Sequence, residues 1–206
     1  MRVAVVDYGA GNLRSVSRAL TQAGAASEIV AAPSGLSGAE VIVVPGVGAF
    51  APAMRRLESA GLAQPLRDAA RSGVPLVGIC LGMQLLFAES EEGAATPGLG
   101  LLAGTVRRLP AVVKIPHMGW NVLDVRSANG VFAGLPPDPY VYFVHSYVVD
   151  PEEAGVVLAT TRHGRLFPSV VHSGNIWGLQ FHPEKSGAVG GRLLQNLLHE
   201  LCRGAA

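Results

Sequence analysis

The chain has 206 residues, 49% of them apolar and only 15% charged, with a formal net charge of +1. That length and apolar content suffice for one substantial core and exclude a disordered or fibrous chain. Lys and Arg are scattered, so no basic field is offered to nucleic acid or an anionic membrane, and no segment approaches the ~18–20 apolar residues of a membrane span.

The predicted elements run as follows. Residues 2–7 are a short β-branched strand that ends in glycines, and Asn12 opens a helix whose Leu13, Val16, Ala19 and Leu20 share one face, ending at Gly24. Strands are expected at 27–31, 41–44 and 75–79, a helical stretch at 51–72 with a break near Gly61, and a helix at 82–88. Alternating βα units with unbroken apolar strands imply a three-layer α/β fold, a mostly parallel central sheet flanked by helices. Beyond Gly93 the character changes: short strands at 105–109 and 120–125, a long aromatic and valine run at 140–149, further strands at 156–161, 169–172 and 176–181, and a last helix at 190–202. These later strands are expected to extend the sheet in antiparallel fashion. No linker or repeat divides the chain, so one domain over 1–206 is expected. Two cysteines make no disulfide framework, and the apolar run after Arg2 is too short for a secretory signal, so a cytoplasmic protein is expected.

One cysteine stands in a chemical context. In Gly78-Ile79-Cys80-Leu81-Gly82-Met83-Gln84 an apolar strand runs into Cys80 and a helix leaves it, with a glycine two residues to either side. This is the cysteine form of a strand–nucleophile–helix elbow, in which side chains at the flanks would crowd the turn. The Leu81 N–H at the helix start is placed to stabilise an oxyanion. Cys202, in the terminal helix, has no such context and is expected to be a packing or surface residue. The second constellation is Phe181-His182-Pro183-Glu184, at the end of an apolar strand. Extended backbone would put His182 and Glu184 on one side. A thiol nucleophile needs a base, and the base needs a carboxylate to orient it; Cys80, His182 and Glu184 fill these roles. His163 and His199 sit in contexts without chemistry.

Two other readings fail. Gly9-x-Gly11 after the first strand suggests a dinucleotide loop, but Arg14 stands where the third glycine belongs and no acidic residue follows at a strand end. His145 and His182 lack Cys or His partners at ligand spacing, so no metal is expected, and no cofactor.

Together these segments resemble the class I, triad-type glutamine amidotransferases, of flavodoxin-like fold. Pro45-Gly46-Val47-Gly48-Ala49-Phe50 matches the loop that completes the oxyanion hole in that family. Three further segments, Asp7-Tyr8-Gly9-Ala10-Gly11-Asn12, Pro116-His117-Met118-Gly119-Trp120-Asn121 and Phe143-Val144-His145-Ser146-Tyr147, narrow the resemblance to the family of glutaminase subunits of imidazole glycerol phosphate synthase. The resemblance implies hydrolysis of L-glutamine through a thioester on Cys80, with the oxyanion held at Leu81 and the Val47–Gly48 region. It implies glutamine binding by Gln84, His145, Ser146 and Tyr147, and ammonia delivery to a barrel-fold cyclase partner in a heterodimer, with Asn12, Trp120, Tyr142 and Lys185 facing that partner. Trp120 as a core aromatic, Asn12 as only a helix cap, Lys185 as a solvated surface charge and Ser146 as a strand-edge hydroxyl bonded to backbone are the simpler readings of those four residues. β-branched Val47 predicts an oxyanion-loop peptide that partner or substrate binding must reorient. The competing functions are an amidotransferase of another synthase, a stand-alone γ-glutamyl cysteine hydrolase and a catalytically silent subunit. The first tends to carry a second glycine where this chain has Val47, and the intact triad argues against the last.

Overall fold

The computed structural model describes residues 1–204. Its first half alternates strand and helix: β1 Arg2–Val6, α1 Leu13–Gln22, β2 Ala26–Val30, β3 Val41–Gly46, α2 Phe50–Ser59, α3 Ala63–Arg71, β4 Leu76–Cys80 and α4 Leu81–Leu85. The second half is mostly strand: β5 Phe87–Ser90, β6 Thr96–Pro97, β7 Leu102–Arg108, β8 His117–Val122, β9 Asp124–Val125, β10 Tyr140–His145, β11 Tyr147–Pro151, β12 Val157–His163, β13 Arg165–Ser173 and β14 Ile176–Leu179, before α5 Gly187–Gly204.

The central sheet has eight strands in the order β2-β1-β3-β4-β14-β13-β12-β9. The first five are parallel and the last three antiparallel; β14, expected as part of the antiparallel extension, instead pairs parallel with β4 and joins the sheet of the first half, while β13, β12 and β9 continue it antiparallel. Strand alternation sorts the core onto two faces. Ala4 and Val6 of β1 pack with Phe50, Leu57 and Leu66 from α2 and α3, whereas Val3 and Val5 pack with Val16 and Leu20 of α1 and Leu194 and Leu197 of α5. Each such buried Leu or Phe is worth about 1.5–3 kcal/mol relative to exposure. The break expected near Gly61 is real: Gly61 takes φ +67 between α2 and α3.

Three expectations are corrected. The helix after Cys80 stops at Leu85, not Ala88, because Phe87 and Ser90 are buried in a strand that pairs with β7 and β6. The later strands are not one extension. β13, β12 and β9 prolong the central sheet, β11, β7, β5 and β6 form a separate four-stranded sheet, and β10 and β8 form a two-stranded ribbon. The run 140–149 accordingly divides at Ser146: β10 pairs with β8, and β11 turns away to pair with β7.

Candidate active site

Cys80 ends β4 and begins α4 with φ 55 and ψ −110, the one positive φ at a non-glycine among the described residues. Such a conformation costs about 1–3 kcal/mol and persists only where the surroundings enforce it. Here two close approaches do so. A Cβ at Gly82 would overlap the Val44 carbonyl oxygen of neighbouring β3, and a Cβ at Gly78 would lie 2.6 Å from the Gly82 oxygen and the Met83 backbone. The glycines are therefore required by adjoining backbone rather than by crowding around the cysteine itself. Parallel pairing aligns Gly46 of β3 with Cys80 of β4, so the Val47–Gly48 loop emerges beside the sulfur. Among the described residues, no protein group accepts a hydrogen bond from the N–H of Val47 or Gly48. Tyr8 pins the start of this loop, its buried hydroxyl donating to the Pro45 carbonyl at 2.8 Å.

His182 and Glu184 meet as expected but by another route. β14 ends at Leu179, and Pro183–Lys185 form a 3-10 turn rather than extended chain. Within that turn His182 Nδ1 lies 2.8 Å from Glu184 Oε1, both side chains buried. Nε2, the other ring nitrogen, is buried with no protein hydrogen bond. Burial works against the imidazolium, but Cys80 and Glu184 together outweigh it and hold His182 up to about 9. The ring is thus built to hold a proton taken from the thiol. Its backbone is clasped to β10: the His182 N–H donates to the Tyr142 carbonyl at 2.9 Å, and Ser186 Oγ donates to the His182 carbonyl while accepting from the Tyr142 N–H.

Cys80 opens into a cavity of about 340 Å³ that it shares with Val47, Gly48, Leu81, Gln84, His145, Ser146 and Tyr147. All three expected oxyanion residues and all four expected substrate residues therefore line one space. That volume is at the small end for ligand sites, the scale of an amino acid rather than a nucleotide. Gln84 is oriented by donating to the Tyr147 carbonyl at 2.9 Å and to Gln180 Oε1 at 3.2 Å. The Ser146 hydroxyl has no protein hydrogen-bond partner among the described residues, so it is not bonded to backbone as its simpler reading held. The expectation for His145 changes: its ring nitrogens face the Tyr147 carbonyl and His117, both at 3.0 Å, leaving none to bind glutamine.

Two residues of the site escaped sequence reasoning. Glu92 lines the cavity, and its Oε2 accepts from the Phe50 N–H at 2.7 Å at the start of α2. Nothing in the sequence separates it from nearby Glu89 and Glu91. Gln180, fully buried, places Nε2 3.8 Å from the Cys80 sulfur. A lone polar residue two positions before His182 in an apolar strand was the available signal.

The four expected partner-facing residues do not all meet. Trp120 is no core residue: it is 55% exposed and contacts Tyr142 edge-on at 6.0 Å, and the Lys185 ammonium lies 5.8 Å from the Tyr142 ring. Exposed Asn12 precedes α1, where its side chain makes no capping hydrogen bond. Cys202 is exposed. No helix among the described residues is long and apolar enough to cross a membrane, and none of their His, Cys, Asp and Glu side chains group in threes to hold a metal.

Residues 4–201 match the family Glutamine amidotransferase class-I. The imidazole glycerol phosphate synthase subunit HisH of Symbiobacterium thermophilum is 48% identical over 201 residues, covering 98% of this chain and 95% of its own. The subunit of the same name from Deinococcus radiodurans is 49% identical over 201 residues, covering 97% and 94%. A crystal structure of a glutamine amidotransferase superposes with a TM-score of 0.75 at 25% identity over 98% of each chain. PurLQS from Thermotoga maritima, at 23% identity and a TM-score of 0.74, covers 97% of this chain and 98% of its own and shares the fold.

Proposed function

Because this chain belongs to the class-I glutamine amidotransferase family, we propose that residues 1–206 form one amidotransferase domain, the glutaminase subunit of an imidazole glycerol phosphate synthase in histidine biosynthesis. The observation that carries the assignment is 48–49% identity to HisH subunits across nearly the full length of both chains. The chemistry follows from the site. Cys80 sulfur, its proton passed to His182, attacks the amide carbon of the glutamine side chain. The tetrahedral oxyanion is held by the N–H of Leu81 at the start of α4 and by those of Val47 and Gly48, which have no protein acceptor of their own among the described residues. His182 then protonates the departing nitrogen, ammonia leaves and a γ-glutamyl thioester remains. Water, deprotonated by His182, attacks the thioester, and glutamate departs as the sulfur is restored. Glu184 keeps the His182 ring in the orientation and tautomer these transfers need.

The ammonia is destined for a cyclase of barrel fold, which completes the imidazole ring and releases aminoimidazole carboxamide ribotide. A docking face is supported by Met118, Trp120 and Tyr140, at 62%, 55% and 52% exposure, on the β8–β10 ribbon beside Lys185. Exposed apolar side chains grouped in this way mark interaction surfaces. Asn12, exposed before α1, is proposed as a separate contact with the same partner. Because Tyr142 of that ribbon clasps the His182 backbone, partner docking reaches the base directly. Docking also aligns the peptide of half-exposed Val47 with the oxyanion. Glutamate release should therefore rise about tenfold or more when the cognate cyclase is added, on the scale of common coupling free energies. Undiminished release without the cyclase would favour a stand-alone hydrolase, and no release with it would refute the assignment.

Glu92 supplies the one carboxylate in the cavity, and its Oε1 has no protein hydrogen-bond partner among the described residues. It is suited to the α-ammonium group of glutamine. Glu92→Gln should raise KM for glutamine by about tenfold or more, the cost of leaving that ammonium without its counter-charge, with a smaller change in kcat. Steady-state kinetics of the complex measure this, and an unchanged KM would remove Glu92 from the substrate site.

A further inference from the structure

The β8–β10 ribbon has two faces. Met118, Trp120 and Tyr142 lie on the outer one, and by strand alternation His117, Asn121, Phe143 and His145 share the inner one. His117 and His145 are direct cross-strand partners, only 5% and 6% exposed, and neither takes part in the proposed reaction. Their hydrogen bonds form an unbroken line. Asn121 Nδ2 lies 3.2 Å from His117 Nε2, His117 Nδ1 lies 3.0 Å from His145 Nε2, and His145 Nδ1 lies 3.0 Å from the Tyr147 carbonyl oxygen. That same carbonyl accepts from Gln84 Nε2 at 2.9 Å. Asn121 is anchored in turn, Nδ2 donating to the Arg162 carbonyl and Oδ1 accepting from the Val122 N–H.

The direction of every bond is determined. A carbonyl only accepts, so His145 Nδ1 carries a hydrogen. A neutral ring then accepts at Nε2, so His117 donates from Nδ1 and accepts at Nε2, where the Asn121 amide donates. Neutrality is enforced: burial, then His163, holds His117 down to about 4, and burial, then His117, holds His145 to about 3. His163 stacks on His117 with centroids 4.2 Å apart, closing the remaining side.

We propose that Asn121, His117 and His145 are positioning residues, a one-way hydrogen-bond chain that fixes the Tyr147 carbonyl and through it the Gln84 amide in the orientation that receives glutamine. The inference rests on the reading of this cavity as the glutamine site. None of the three need touch the reacting atoms. They act from the inner face of the ribbon whose outer face carries Trp120, and so tie the shape of the substrate cavity to that surface.

The test uses the full chain with its cognate cyclase. His117→Phe preserves an aromatic ring against Phe143 but supplies neither donor nor acceptor. KM for glutamine should rise about tenfold, the consequence of one buried acceptor left unpaired, with kcat falling less than about threefold. Alkylation of Cys80 by 6-diazo-5-oxo-L-norleucine, an electrophile shaped like glutamine, should slow by about the same factor, while alkylation by iodoacetamide, which needs no amino-acid site, keeps its rate. His117→Gln restores one acceptor and one donor in the same order and should bring KM back to within about threefold of the parent. An unchanged KM in His117→Phe overturns the proposal. So does a variant in which both alkylation rates and the melting temperature fall together without rescue by glutamine at position 117, since that is the mark of a merely structural pair. If the parent complex itself releases no glutamate from glutamine, the reading of the site fails first and separately.

Discussion

Replacing Cys80 by serine should lower glutamine-dependent turnover by about 10⁴-fold or more, while the same complex supplied with ammonium salts should make product at the parent rate. The size follows from the position of the sulfur. It is the one nucleophile at the elbow, and triads that lose the nucleophile retain only what binding and the oxyanion donors contribute. A serine hydroxyl at φ 55 would occupy the same place, but it is a far weaker acid than a thiol, and a base tuned to about 9 is matched to sulfur. The two arms separate the chemistry: loss of both activities would mean that the substitution disturbs the partner, and survival of the glutaminase would refute the mechanism. Glutamate release and product formation, followed in parallel, measure both.

The largest effect on stability is expected at Gly82. A Cβ there overlaps the Val44 carbonyl oxygen and stands 2.7 Å from its carbon. Neither atom is the end of a flexible side chain, because Val44 is central in β3 and fully buried. Gly82→Ala must push α4 from the sheet or displace the strand, so a loss of about 4 kcal/mol or more is expected, beyond the usual cost of overpacking. Gly191→Ala in α5 is the control. Its Cβ meets nothing within 4 Å, and alanine favours a helix over glycine by about 0.5–1 kcal/mol. Urea unfolding of the two variants should diverge in opposite directions from the parent. Equal midpoints would show that the elbow tolerates a wider turn than these contacts allow.

The parallel half of the fold is legible because its strands are buried on both sides. Val41 to Val44 and Leu76 to Ile79 can hardly be anything else, and the glycines mark where they stop. The second half is less legible because its partners are set by tertiary pairing. Nothing local in residues 140–149 announces that Tyr147 leaves the ribbon for another sheet, since apolar and aromatic residues continue on both sides of Ser146. Leu86 and Phe87 likewise suit helix or strand, and burial against β7 decides. In the site, Cys80, His182 and Glu184 are legible from residue type and spacing, although a 3-10 turn rather than an extended strand joins the last two. His145 was rightly placed at the cavity, but its hydrogen bonds depend on His117, 28 positions away. Glu92 is invisible to spacing because a loop carries it to the start of α2.

The backbone at Cys80 also sets a limit on what this protein can become. Its positive φ favours glycine over residues with a side chain, so the nucleophile occupies a place where folding alone would prefer no side chain. Selection for thermal robustness without a demand for turnover would drift toward glycine at position 80. Stabilising such a chain therefore has to proceed elsewhere, at helix ends and surface loops. A relative on this fold with glycine at the elbow would be recognisable as one that has kept the scaffold and given up the chemistry.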